Sequence, residues 1–406
     1  MSKWKTSPLS SVCTVFGDGD WIESKDQSPT GVRLIQTGNV GEGEFKDRAE
    51  KARFISRETF ARLRCTEIFA GDCLISRLPD PAGRACMVPE TGERMITAVD
   101  CTIVRFDQIK LLPEFFVYYS QTGDYLSAVE REATGTTRKR ISRARLGQIQ
   151  VPLAPMFEQR RIVAILDEAF EGIATAKANA EKNRQNARAL FDSHLQTVFS
   201  QRGEGWVEKP LCEVASILNG YAFKSGDFSS RGPTKSIKIT NVGVREFVET
   251  CDSGLPADFS QQFASVAAPA GSLVIALTRT IIADGLKVGI VPPSYDCALV
   301  NQRVAALLPK SEKASASYLF AYLSTSIVMN YVKDRVNTLM QPNLSINDLR
   351  AMPIPLPPES ERENIIEKLL AIEAETQNLE AIYQRKLEAL DELKRSLLHQ
   401  AFSGKL

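Results

Sequence analysis

Two stretches of this chain carry apolar residues at helical spacing over more than forty positions without a proline, 158–200 and 361–403. In the first, Ile162, Leu166, Ala169, Ile173, Ala176, Ala180, Asn183, Ala187 and Leu190 alternate by four and three. In the second, Ile365, Leu369, Ile372, Thr376, Leu379, Tyr383, Lys386, Leu390 and Leu393 do the same. Such a seam buries a narrow stripe of one helix against another. The spacing predicts two rods of roughly 60–65 Å, each other's best partner, with Asn183 and Lys386 as polar residues that fix register. Ahead of each rod lie about 150 residues of a different texture. Short β-type runs dominate there: VRLIQT at 32–37, GDCLIS at 71–76, TAVDCTIVRF at 97–106, SIKIT at 236–240 and SLVIAL at 272–277. Gly, Pro and Asn punctuate them, and helices are expected at 115–125 and 316–332. Prolines at 151–155 and 353–358 mark the change from domain to rod.

The two halves are copies. Trp4 and Leu9 match Trp206 and Leu211; Asn39-Val40-Gly41 matches Asn241-Val242-Gly243; GDCLIS matches GSLVIA at 271–276. RACMVP at 84–89 matches KVGIVP at 287–292, and EQRRIV at 158–163 matches ERENII at 361–366. Every offset lies between 200 and 203, half of the 406 residues. A register kept through so many blocks marks an internal duplication. The expected domains are 1–152 and 204–355, with long helices in 153–203 and 356–406.

Composition narrows the function. At about 100–200 residues per domain the length allows two to four domains, and a 43% apolar share with 24% charged residues fits folded protein. Net charge is +1, so any anionic partner must be met by a local patch. The longest uncharged apolar stretch, 264–277, is shorter than the roughly 20 residues of a membrane span. MSKWKTSPLSSV has no apolar signal core, so a cytoplasmic location is expected. Eight cysteines form no CxxC pair and are expected as small buried apolar residues. The two histidines, His194 and His399, lack neighbours for a metal site or a nucleophile triad.

Catalytic motifs are missing. No GxxxxGK[ST] loop occurs, and GNVGEGE at 38–44 lacks the GxGxxG order. VPPSY at 291–295 has two prolines but no polar leader for an adenine methyltransferase tetrapeptide. Glu23-Ser24-Lys25 and Glu44-Phe45-Lys46 could serve a metal-dependent nuclease, but neither is duplicated in the second half. The chain reads as a binding protein.

Its richest candidate surface is REATGTTRKRISRAR at 131–145, six basic residues around one acidic. Arg138, Lys139 and Arg140 can neutralise phosphates; Thr134, Thr136, Ser142 and the Gly135 backbone can position them. A solvated loop has the same composition, but this one directly precedes a duplicated boundary. Its copy, 335–348, is instead rich in amides: Asn337, Gln341 and Asn343, followed by Ser345. Asn and Gln can read adenine through two hydrogen bonds. Arg33, Gln36 and Asn39, their mates Lys238, Thr240 and Asn241, Arg77 with Arg279, and Asn301 with Gln302 are further candidates for the same surface.

The layout resembles the specificity subunit of type I restriction–modification enzymes over essentially the whole chain. The resemblance rests on the duplicated domain–helix order, on VPLAPMFEQRRIV and MPIPLPPESERENII, and on the ending LLHQAFSGKL at 397–406. The second boundary departs from the first, with Ser360 and Glu363-Asn364 where acidic and paired basic residues are common. The resemblance implies an α+β protein: two α/β target-recognition domains with curved sheets, separated by two long antiparallel coiled-coil helices. It implies that each domain reads one half of a bipartite asymmetric site in double-stranded DNA. It further implies two modification subunits that use S-adenosylmethionine to methylate adenine, and two restriction subunits that use ATP and Mg2+. No catalysis or cofactor is expected of this chain itself. The alternative is a repeat scaffold that binds protein through its rod.

Overall fold

In the computed structural model, which describes residues 4–135, 139–250, 253–282, 285–335 and 343–406, each proline-free stretch is one helix, Met156–Ser200 and Glu359–Ser403. The chain divides into two compact units. One comprises Met1–Glu181 with Gln384–Leu406, the other Lys182–Tyr383. Each unit holds one mixed domain and a portion of both long helices.

Within the first unit the helices run antiparallel. Lys177 pairs with Asp391, and Arg161 donates to the Leu406 carbonyl at 2.7 Å, so rising numbers on one helix meet falling numbers on the other. Within the second, Leu195, Phe199 and Leu369 enter one core, with Phe191 and Ile365 packed against it.

The seam departs from the strict heptad. Inward positions keep Ala176, Ala180 and Ala187 of the expected series, with Lys177 half-buried beside Ala176, but Arg184 and Phe191 turn inward in place of Asn183 and Leu190. Asn183 is exposed and Leu190 is 70% exposed. The second helix does the same: Thr376, Tyr383 and Leu390 hold their expected places, while Glu380, Leu387 and Lys394 turn inward in place of Leu379, Lys386 and Leu393, which are exposed. A straight helix drifts about 20° per seven residues against a 3.5 repeat, and taking the neighbour one residue on at alternate positions follows that drift. Asn183 and Lys386 therefore do not sit in the seam and do not set its register.

Each domain is closed by pairing its first strand with the proline-bearing strand that launches the helix. Thr6–Pro8 pairs antiparallel with Gln150–Pro152, and Val207–Pro210 with Pro353–Leu356. These two-stranded sheets tolerate proline because each strand has a free edge. Behind them the first domain has a four-stranded sheet in the order Cys13–Asp18, Cys101–Phe106, Cys73–Ser76, Ala85–Met87. The second repeats it as Ala215–Asn219, Val304–Pro309, Leu273–Ala276, Val288–Ile290. Successive side chains of a strand point to opposite faces. Cys73 and Ile75 accordingly join the helix-side core, while Leu74 joins a second core with Ile35, Met95 and Ile103. Both faces are covered, which explains the unbroken apolar run CLIS. Beyond lies a second sheet, five-stranded in the first domain and three-stranded in the second, with one parallel contact, Val32–Ile35 to Met95–Thr97 in the first and Ser236–Ile237 to Ala298–Val300 in the second.

The helices expected at 115–125 and 316–332 are each two. Pro113–Tyr119 is followed by Gly123–Glu132, and Ala316–Leu323 by Ser326–Lys333. Thr122 and Thr325 break them: each hydroxyl accepts from the backbone three residues on, Tyr125 N or Val328 N at 3.3 Å, and so starts a new helix. Among the cysteines, Cys65, Cys73, Cys86 and Cys101 are buried, whereas Cys212 and Cys297 are exposed. Burial pushes the Cys101 thiol up to about 11.

The boundary motif works as a latch. Gln159 is fully buried; its amide accepts from Leu112 N at 2.8 Å and donates to Lys110 O at 2.9 Å and Ala154 O at 2.8 Å. Its repeat mate Arg362 donates to Lys313 O at 2.7 Å and Pro357 O at 3.0 Å. The far end of each helix is seated by an aromatic plug. Phe402 packs on Phe115 and Tyr119 with ring centroids 5.0 and 5.3 Å away, and Phe199 on Tyr318 and Tyr322 at 5.5 and 5.2 Å.

Gln159→Leu orphans one buried N–H and two carbonyls, and urea unfolding should show a loss of about 2–3 kcal/mol. Phe402→Ala should cost about 3–5 kcal/mol. Leu190→Ser should change stability by less than about 0.5 kcal/mol, as an exposed position does.

Candidate nucleic-acid interface

The repeated Asn-Val-Gly motif holds a loop. Asn39 Oδ1 accepts from Gln36 N at 2.9 Å, and its Nδ2 donates to Lys46 O at 2.8 Å and Asp47 O at 3.0 Å. Asn241, fully buried, accepts from Lys238 N at 2.8 Å and donates to Val248 O at 2.9 Å and Thr250 Oγ1 at 3.0 Å. These amides are already engaged on both their donor and acceptor sides. Arg33 is buried as well, donating to Glu93 at 2.9 Å and pairing with Asp47. Arg77 is buried with Asp18 at 3.2 Å, and burial lowers its guanidinium from the ordinary value against the pull of Asp18. Arg33, Asn39, Arg77 and Asn241 are thus frame residues, and the expectation of base contacts from them is revised. Ser142 and Ser345 cap short helices, accepting from Arg145 N at 3.3 Å and Asp348 N at 3.0 Å. Lys238 reaches Ser253 Oγ at 2.7 Å over the Phe228 ring.

The remaining candidates converge on one ribbon per unit. In the second unit Gln302 N donates to Tyr221 O at 2.9 Å, Leu277 N to Arg303 O at 2.8 Å, and Leu344 N to Leu277 O at 2.8 Å, while Thr278 bridges to Asn343. Gln302, Arg303, Arg279 and Asn343 are exposed along it, and Asn301 is half-buried. No ion pair to Arg279 or Arg303 occurs among the described residues. Thr240 is exposed and Gln36 half-buried beside their stapled loops.

The first unit builds the same ribbon from other side chains. Asp20 N donates to Thr97 O at 2.8 Å, Arg77 N to Asp100 O at 2.9 Å, and Ile141 N to Arg77 O at 3.1 Å. This bonding makes Leu277, not Arg279, the mate of Arg77, and pairs Asp100 with Arg303 and Arg140 with Asn343. Thr134 and Arg140 exchange two backbone bonds at 2.9 and 2.8 Å, which brings the two ends of the basic segment together, with Gly135 at φ 118°. Arg140 pairs with Asp100 at 2.8 Å, Arg143 lies 3.6 Å from Asp18, and Lys139 pairs with Glu130. Of the candidates, Thr136, Arg138, Asn337 and Gln341 lie outside the described residues. Glycine is required where each ribbon starts: a Cβ on Gly19 would stand 2.3 Å from Ala98 O, and one on Gly220 2.1 Å from Asn301 O. Neither spacing nor composition singles out Asp100 and Arg303, which backbone pairing places on the ribbons, or Asp18, which faces Arg77 and Arg143.

Each unit also has a cleft at the same repeat position. One of about 590 Å³ is lined by Gln121, Thr122, Asp391 and Arg395, the other of about 660 Å³ by Ser324, Thr325, Arg188 and Asp192. The two helix positions carry opposite charges in the two clefts. Among the described residues no cluster of three or more His, Cys, Asp or Glu could hold a metal, and no helix is long and apolar enough to cross a membrane.

The two units thus share a domain–helix plan and carry polar ribbons of unlike chemistry. The family model for the type I restriction modification DNA specificity domain matches residues 1–183 and 203–389, and the chain belongs to that family. It is a type I restriction–modification specificity subunit, a non-catalytic member of its complex. Among similar proteins is the MjaVIII specificity subunit of Methanocaldococcus jannaschii, 27% identical over 75% of this chain and 73% of that protein. The EcoAI specificity subunit of Escherichia coli is 32% identical over 69% of this chain and 46% of its own length. A chain solved for complex assembly and conformational transition of the type I R-M system shares the fold, with TM-score 0.78, 19% identity, and 99% and 98% of the two chains covered. The HsdS subunit of Thermoanaerobacter tengcongensis aligns at TM-score 0.56 and 18% identity, covering 99% and 97%.

Asn241→Ala leaves buried groups unpaired and should lower stability by about 2–3 kcal/mol in urea titration. Arg140→Ala, which breaks a half-exposed pair, should cost about 1 kcal/mol or less.

Proposed function

We propose that each unit reads one half of a bipartite, asymmetric site in duplex DNA, and that its exposed ribbon carries the base contacts. The supporting observation is one backbone frame with two sets of side chains: Ala98, Val99, Asp100 and Arg140 in one unit, Asn301, Gln302, Arg303 and Asn343 in the other. Equal frames present equal reach into a groove; unlike donors and acceptors select different bases. The basic segment of the first unit supplies phosphate contacts through Lys139, Arg140 and the adjoining Arg138. On binding, phosphates replace Asp100 and Glu130 as partners of Arg140 and Lys139. Two modification subunits, using S-adenosylmethionine, dock on the long helices and clefts and methylate adenine. Two restriction subunits add ATP- and Mg2+-dependent cleavage. The exposed Leu190, Leu370, Leu379 and Ile382 of the second unit and Leu393 of the first support a protein-covered surface on the helices.

The chain combined with its modification subunit should methylate a two-part sequence, and alone should transfer no methyl group. Methyl transfer by the isolated chain would overturn the reading. Replacing Arg138, Lys139 and Arg140 together by Ala should weaken DNA binding and reduce the slope of log K against log salt by about 0.9 per lost phosphate contact. An unchanged slope would show that the segment does not touch DNA.

A further inference from the structure

Each ribbon begins beside an exposed aromatic ring. In the second unit Tyr221 follows the close approach of Gly220 to Asn301, bridges to Asn301 and accepts from Gln302 N. It is 47% exposed, yet its ring is supported from behind by Phe263 and Phe223, with centroids 4.5 and 5.1 Å away. Phe259 packs on both of those rings, at 5.0 and 6.1 Å. Tyr221 is therefore a half-exposed ring backed by aromatic neighbours, beside the backbone of Asn301 and Gln302. In the first unit the equivalent bridge is Asp20 to Ala98, and the next residue is Trp21, 70% exposed. Its indole bonds to Glu23, which also pairs with Lys25 at 2.7 Å.

Solvent exposure of so large a ring forgoes burial that folding ordinarily gains, and here it occurs near the same backbone position in both copies. The surrounding ribbon residues differ between the copies, while a flat aromatic surface recurs. A ring recognises a π-face and not a particular base, so it serves two different half-sites equally. We propose that Tyr221 and Trp21 stack on DNA bases, one ring per recognition domain, next to the bases that the ribbon reads. This rests on the reading of the two units as DNA readers. The stacked base is unpaired or partly unstacked from its neighbour, because a duplex shows its base faces only where a step opens.

The test uses the complex of this chain with its modification subunits and a duplex of the sequence it methylates, with 2-aminopurine placed at each adenine of the site in turn. Base stacking contributes about 1–3 kcal/mol per base, so Tyr221→Ala should weaken binding about 5- to 150-fold with an unchanged salt slope. Tyr221→Phe should bind like the parent chain. Trp21→Ala should weaken binding similarly, Trp21→Phe much less, and 2-aminopurine fluorescence should change at one position per half-site on removal of the ring. Unchanged affinity in both Ala variants overturns the proposal. So does an equal loss in Tyr221→Phe, which would mark a hydroxyl contact, or a lost assembly with the modification subunit, which would mark a protein contact. If the parent complex does not prefer this duplex over a scrambled one, the DNA-reader assignment fails and the stacking falls with it. If the parent discriminates and the Ala variants do too, only the stacking fails.

Discussion

The seating of each long helix end on a domain core is the contact on which the rest of this structure depends. A 45-residue helix has no compact fold of its own, and the aromatic plugs Phe402 and Phe199 commit its last turns to a defined place within their units. At the other end Gln159 and Arg362 tie the first turn to the domain by using up carbonyls that would otherwise be buried and unpaired. The two devices differ in kind. The plug contributes apolar burial that is tolerant of rotation; the latch fixes direction through hydrogen bonds of set geometry.

With the frame held in this way, the ribbon is free to vary. Asn39 and Asn241 hold their loops by corresponding bonds, from the backbone N–H three residues before and to the carbonyl seven residues on, and Gly19 and Gly220 permit the same close approach, although the ribbons beside them carry unlike charges. A position whose backbone is fixed by its neighbours can exchange Asp100 for Arg303 without disturbing the fold. That separation of frame from ribbon is what the proposed reading of two different half-sites rests on.

Much of this was legible in the sequence and some of it was not. The duplication, the two helices and the covered strands follow from periodicity and offset, which survive whatever the tertiary contacts turn out to be. In the seam Ala180, Ala187, Tyr383 and Leu390 stand where the spacing puts them, whereas Asn183, Leu190, Lys386 and Leu393 give way to the next residue, because a 3.5 repeat and a straight helix separate gradually and the shift has no residue signature. Arg33, Asn39, Arg77 and Asn241 have side chains that suit DNA equally well and were read that way; burial turned them inward. The converse error is Arg303, a plain exposed arginine whose importance rests on a backbone bond to Leu277. Polar residues near a turn serve either the loop or a ligand, and only the partners within hydrogen-bond reach separate the two.

The claim that the units are independent readers is tested most directly by methylome sequencing of a strain in which residues 1–152 are exchanged for the matching domain of a relative with a different site. The account predicts that one half of the methylated sequence changes and the other half stays as it was. A change in both halves would contradict it, because the second unit would then not read its bases by itself.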